Sequence, residues 1–216
     1  MIAAPGERMH GRAAIAILAL VAHPSCAVAS GPERAEGPRP GQTSFFNEGK
    51  DLILGVDARA SRITGPVEFL PVQVVVLNRR KVEMAVTRES FTLVRPDGVN
   101  LPAASPEEFW RDYHRARADA RMGQPFLDNV FGRYPGPPFH WAGLDLFPGK
   151  HTGIVPRDGL NLRFGDGTFG YIYFRHPEGE GAAPGGYYKL LFQPHGSDQR
   201  YVLDFVPYET KKKDVR

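Results

Sequence analysis

Val67-Glu68-Phe69-Leu70-Pro71-Val72-Gln73-Val74-Val75-Val76-Leu77-Asn78 is the densest run of β-branched and aliphatic residues in the chain outside its N-terminus. A run of this length bounded by turn residues reads as a β-strand. Gly65-Pro66 before it and Asn78-Arg79-Arg80-Lys81 after it supply the turns. Val74 or Val76 is expected among the most buried positions, with the choice of core-facing alternate set left open. Pro71 has no N–H to donate, so it belongs at the start of the pairing or at an edge bulge.

Outward from this strand the β signal repeats. Residues 52–58 form a short apolar run upstream. Downstream, Met84, Val86, Phe91 and Leu93 alternate with polar neighbours and end at Pro96-Asp97-Gly98, whose residue types suit a hairpin turn. Ser105-Pro106-Glu107-Glu108 then reads as a helix start: a capping hydroxyl, proline in the first turn, and acids at the positive end of the dipole. The helix is expected over residues 107–122, stopping at Gly123. Its apolar stripe comprises Phe109 or Trp110, Tyr113, Ala116 or Arg117, and Ala120, while Arg111, Arg115, Asp119 and Arg121 face water.

Residues 124–164 hold six prolines and no clear period, and read as a long Pro-rich loop with candidate strands at 144–147 and 153–155. Three closing strands, at 169–174, 187–193 and 201–206, suggest a meander. Strands, one helix, then strands, without βαβ alternation, predict a mainly β protein: an antiparallel β-sandwich with one inserted helix and a long Pro-rich loop.

The chain has 216 residues, with 24 Gly and 20 Pro, which favours turns over long helices. Arg8 and Arg12 precede the apolar run 13–22, Pro24 follows, and Ala27-Val28-Ala29 is a small-x-small cleavage site. This is the pattern of a secretory signal peptide. The expected organisation is a signal at 1–29, a flexible lead at 30–49, a β-sandwich domain at 50–209 and a charged tail at 210–216. The run 13–22 is too short to cross about 30 Å of hydrocarbon, so no transmembrane anchor is expected in the mature chain. Cleavage after Ala29 removes Cys26, the lone cysteine, and leaves no disulfide framework. Lipidation of Cys26 fits less well, because His23-Pro24-Ser25 lacks the aliphatic and small residues of a lipoprotein signal. The net charge of +3 is weak and the basic residues alternate with acids, which argues against a nucleic-acid partner.

Val72-Gln73-Val74-Val75-Val76-Leu77-Asn78 followed by Thr87-Arg88-Glu89-Ser90-Phe91-Thr92-Leu93-Val94-Arg95-Pro96-Asp97-Gly98 resembles the core hairpin of bacterial exported immunoglobulin-like domains of unknown function. The stretch 162–174, with Gly170-Tyr171-Ile172-Tyr173-Phe174, is similar to their closing strand after a Gly-rich bend. The resemblance covers about half the mature chain by that span of motifs and implies a secreted or surface β-sandwich. It carries no catalytic residues. The helix and the Pro-rich loop depart from the compact form of the family.

Candidate chemistry is sparse. His114, His140, His151, His176 and His195 lack the spacing of metal ligands. Asp166, Asp158 and Asp145 lack the dense alternation of a calcium loop. Ser90 and Ser105 have structural readings, and there is no nucleophile elbow. Gly165-Asp166-Gly167-Thr168 precedes a strand and so reads as a turn, not a phosphate cradle. No cofactor or metal is expected. The aromatic residues of the Pro-rich segment, above all Tyr134, Phe139 and Trp141, suit a rigid platform for an envelope protein or an extracellular ligand. The same rings would also pin a long loop to the sheets, and burial reasoning favours that role. The expected function is a non-catalytic exported binding module of the bacterial envelope. The alternative is a metal-dependent or other hydrolase using His114, Asp112 and Glu108 with a loop histidine.

Overall fold

The structure, a computed structural model, describes residues 42–64, 68–147, 159–176 and 186–207. The expected signal peptide with Cys26, His151, the candidate strand 153–155 and the charged tail lie outside the described residues. So does most of the expected lead. No helix among the described residues is long and apolar enough to cross a membrane.

The described residues form a mainly β unit with three helices. In chain order the elements are β1 (Ser44–Glu48), β2 (Leu52–Asp57), α1 (Arg59–Thr64), β3 (Phe69–Asn78), β4 (Met84–Thr87), a 3₁₀ turn (Arg88–Ser90), β5 (Phe91–Val94) and β6 (Asn100–Pro102). Then follow α2 (Pro106–Asp112), α3 (Ala116–Arg133), β7 (His140–Gly143), β8 (Gly159–Leu162), β9 (Asp166–Arg175), β10 (Tyr188–Phe192) and β11 (Tyr201–Phe205). One sheet runs β1-β2-β3-β9-β7, a second β11-β10-β5-β6, and β4 pairs with β8.

The run that opened the analysis is β3, the central strand of the larger sheet, and all ten of its residues are buried. The reason is that both faces of this sheet are covered. Val72, Val74 and Val76, with Leu54, Val56, Ile172 and Phe174, point at Phe91, Leu93, Leu190 and Phe192 of the smaller sheet. Phe69 and Val75 point the other way, the first toward Phe109 and Tyr113, the second toward Phe126, Leu127 and Val130 of α3. A strand covered on both sides reads as a continuous apolar run because neither alternate set meets water. Both Val74 and Val76 are fully buried, as expected. Val74→Ala is therefore expected to cost about 1–3 kcal/mol, read as a shift in the urea midpoint with an unchanged slope; an unshifted midpoint would contradict this placement.

Pro71 pairs with Tyr173 of β9, while the ladder to β2 begins only at Gln73. Its missing N–H thus falls where β2 has ended, and its carbonyl accepts from the Ser61 hydroxyl of α1. The hairpin at Pro96-Asp97-Gly98 forms between β5 and β6, with Gly98 at φ +86°.

Several expectations are corrected. Residues 44–48, assigned to the lead, form edge strand β1, because pairing with β2 and burial of Phe45 supply the order that local composition lacks. The single helix 107–122 is two helices. Ser105 is the expected N-cap, with Glu108 closing a capping box around it, but the chain breaks at Tyr113, which adopts an extended conformation as the C-cap of α2. Its ring turns into the aromatic cluster of Phe69, Phe109 and Tyr173. The next helix continues through Gly123 and Pro125. Gly123 does not stop it; a Cβ there would lie 2.2 Å from Gln73 Oε1, so glycine permits close contact with the sheet. Pro125 and Arg121, whose carbonyl the proline leaves unbonded, both face solvent.

The break resets the helical phase, so Asp119 is fully buried, not water-facing. Residues 124–133 are helix, 140–143 and 159–162 are strands, and 144–147 form no strand although Leu144 and Leu146 are buried. The closing strands are no meander: β9 belongs to the larger sheet beside β3, whereas β10 and β11 pair in the smaller one. Nor do β3 and β5 form a hairpin, since they lie in different sheets. One pairing, β7 with β9, is parallel.

Candidate functional site

The aromatic residues singled out from the sequence converge at one end of the larger sheet. Tyr134 caps α3, Phe139 precedes β7, and Trp141 lies within it. Tyr134 and Phe139 meet edge-on with centroids 5.9 Å apart, and Trp141 meets Phe131 at 5.5 Å. The Trp141 ring lies over Gly167, where a Cβ would come within 2.5 Å of it, and its indole N–H donates to the Tyr134 carbonyl at 3.4 Å. All three are half-buried, so their inner faces hold the segment to the sheet while their outer faces meet solvent.

Asn78, at the end of β3, ties the neighbouring loops to this end. Its side-chain amide donates to the carbonyls of Val82 and Leu162, each at 2.9 Å, and its Oδ1 accepts from Arg80 N at 2.8 Å. Its main-chain carbonyl accepts from Gly165 N at 2.9 Å, and the Gly165 carbonyl accepts from His140 N. Loops 79–83, 134–139 and 163–165 are thereby fixed side by side around one fully buried amide. Two large apolar side chains stand out from them: Val82 is 61% exposed and Phe164 57%. Of Gly165-Asp166-Gly167-Thr168, read as a turn, only Gly165 lies in one, with Phe164; Asp166, Gly167 and Thr168 already belong to β9, and Asp166 accepts from Arg163 N. Phe164 and Val82 were not singled out from the sequence; an apolar residue inside a charged turn is the signal that marks both.

Of the alternative catalytic set, the two carboxylates meet at one cation. Glu108 caps α2 and, with Asp112, faces the Arg175 guanidinium, at 3.9 and 3.3 Å. Arg111 and Arg175 hold the Asp112 carboxyl below the usual range, the Arg111 hydrogen bond contributing most. His114 is exposed between the two helices, and His140 and His195 are exposed elsewhere. His176 is buried, and burial pushes its pKa down. No cluster of three potential metal ligands exists among the described residues. Ser90 and Ser105 serve as caps.

Sequence reasoning missed two further features. A cleft of about 280 Å³ opens beside the smaller sheet, lined by Glu89, Thr92, Asn100, His195 and Arg200 among others. Beneath α3, Tyr113 and Tyr173 donate to Asp119 Oδ2 at 2.6 and 3.3 Å, and the Tyr171 hydroxyl donates to the Asp119 carbonyl at 2.5 Å. Burial raises the Asp119 carboxyl above its ordinary value against the pull of the two hydroxyls. Burial, and the Asp119 charge, likewise hold the three tyrosines in the hydroxyl form.

Comparison of the chain with protein-family models, with curated proteins and with solved structures gave no match in any of the three.

Proposed function

We propose that this chain is an exported, non-catalytic binding module of the bacterial cell envelope, built on an immunoglobulin-like sandwich, with its recognition surface at the loop end around Asn78. The observation that carries the reading is the exposure of Val82 and Phe164 on loops already fixed by buried hydrogen bonds, beside the outer faces of Tyr134 and Phe139. Apolar anchors on a pre-ordered surface bind well because little side-chain or loop entropy remains to be lost. Trp141 serves this surface from beneath, as the support on which the segment rests. The N-terminal pattern of arginines, apolar run and Ala27-Val28-Ala29 supports export. The hydrolase alternative draws less support, because Glu108 and Asp112 both face Arg175.

The test is cosedimentation of the full chain with washed envelope fragments. Phe164→Ser is expected to reduce retention about tenfold, the weight of one anchor residue, with an unchanged thermal midpoint because the side chain is exposed. Trp141→Ala should instead lower the midpoint, since its ring covers Gly167. Equal retention of wild type and Phe164→Ser would end the recognition-surface reading.

A further inference from the structure

The charges around the two exposed apolar residues narrow the partner. Loops 79–83 and 163–165 bring Arg79, Lys81 and Arg163, all exposed, to the same end as Val82 and Phe164. Arg80 is there too, held by Gln199, as are Lys50 and Arg133. The acids at this end are Glu48, Asp51, Glu83, Asp166 and Asp198, the last beside the Gln199 that holds Arg80. Glu48 is paired with Arg133 at 2.6 Å, and Asp166 is turned back to the backbone N–H of Arg163. The exposed apolar residues thus lie among an excess of cations: Arg79 and Lys81 precede Val82 and Glu83 follows it, while Arg163 precedes Phe164.

We propose that this loop end is a peripheral contact with an anionic lipid surface, Val82 and Phe164 entering the headgroup region while Arg79, Lys81 and Arg163 meet lipid phosphates. The proposal rests on the binding reading above and names its partner. Three observations select lipid. The apolar residues stand at the crests of two separate turns, a geometry that inserts between headgroups more readily than it fills a pocket. The cations lie next to them in sequence, so insertion and electrostatic attraction act at the same depth; polybasic and apolar elements combine in this way in membrane-surface segments. The hydrogen bonds of Asn78 fix the turns, so docking requires no reordering of the backbone.

The experiment is flotation of the full chain with vesicles of phosphatidylcholine alone and of phosphatidylcholine with phosphatidylglycerol, at low and high salt. Wild type is expected to partition about tenfold better onto the anionic vesicles and to lose that advantage in high salt, as screened surface charges do. Two double variants separate the contributions: Val82→Ser with Phe164→Ser, and Lys81→Glu with Arg163→Glu. Each is expected to lower anionic-vesicle partition about tenfold with an unchanged thermal midpoint. All forms share the apolar run 13–22, so the difference between them reads the loop end alone. Partition onto anionic vesicles that neither double variant reduces would overturn the inference. Retention on envelope fragments without any vesicle partition would overturn it as well, pointing to a protein partner while leaving the broader binding reading in place.

Discussion

Gly165→Ala is expected to destabilise the fold by about 3 kcal/mol, the sum of a left-handed backbone cost of about 1–2 kcal/mol and a steric clash of similar size. Gly165 has φ +82°, a conformation unfavourable for a residue with a Cβ. A Cβ there would also lie 2.5 Å from the Pro138 carbonyl oxygen, a backbone atom that cannot rotate away. The position is further held by its N–H to Asn78 and its carbonyl to His140. Gly98 is the internal control: its φ is +86°, yet nothing lies within 4 Å of its would-be Cβ. Gly98→Ala should therefore show the backbone cost alone. Equal urea midpoints for the two variants would mean that the 134–139 and 163–165 loops are not locked together.

The second large effect is at Asp119. Asp119→Leu removes the acceptor of the Tyr113 and Tyr173 hydroxyls beneath α3. A buried donor left without a partner costs about 1–3 kcal/mol, so the loss should be among the largest from a single substitution here. The Tyr171 bond goes to the Asp119 backbone and survives, so Tyr171→Phe measured in both backgrounds should cost the same. Asp119→Asn tests the charge. Because burial raises the folded pKa of Asp119 above the ordinary 3.8, protonation favours the fold. That contribution is fully present below the unfolded value and is lost as pH rises through the folded one. Asn cannot ionise, so the stability of Asp119→Asn relative to wild type should increase from acid toward neutral pH. Asp57, whose carboxyl burial also raises, keeps its slope of the same sign in both proteins. Urea titrations at acid and neutral pH decide it, and a difference that grows toward acid would refute the assignment.

What could be read locally came through. β3 declared itself by composition, the start of α2 by Ser105, Pro106 and Glu108, and the β5–β6 hairpin by Pro96-Asp97-Gly98. Each is specified by residues within a few positions of one another. The errors share the opposite property. Residues 44–48 are ordered by the partner strand β2, and Tyr113 ends α2 because its ring is taken up by Phe69 and Tyr173 from distant strands. Gly123 resembles a helix stop until Gln73 of β3 is brought beneath it. The candidate surface was half legible: Tyr134, Phe139 and Trp141 stood out as aromatics in a Pro-rich segment. Val82 and Phe164 lie 82 residues apart, and only the bonds of Asn78 to Val82 and Leu162 bring their loops to one end of the sheet.

The sequence by itself determined the mainly β class, the central strand, the cap of α2 and the residues from which a surface was to be chosen, because hydrophobic period, turn chemistry and capping are short-range effects. Only the tertiary structure decided which strands share a sheet, that β3 is covered on both faces, that α3 runs on through Gly123 and Pro125, and that Asp119 is buried. Those outcomes depend on burying surface and satisfying polar groups between segments far apart in the chain, and no local pattern encodes which distant partner will do it.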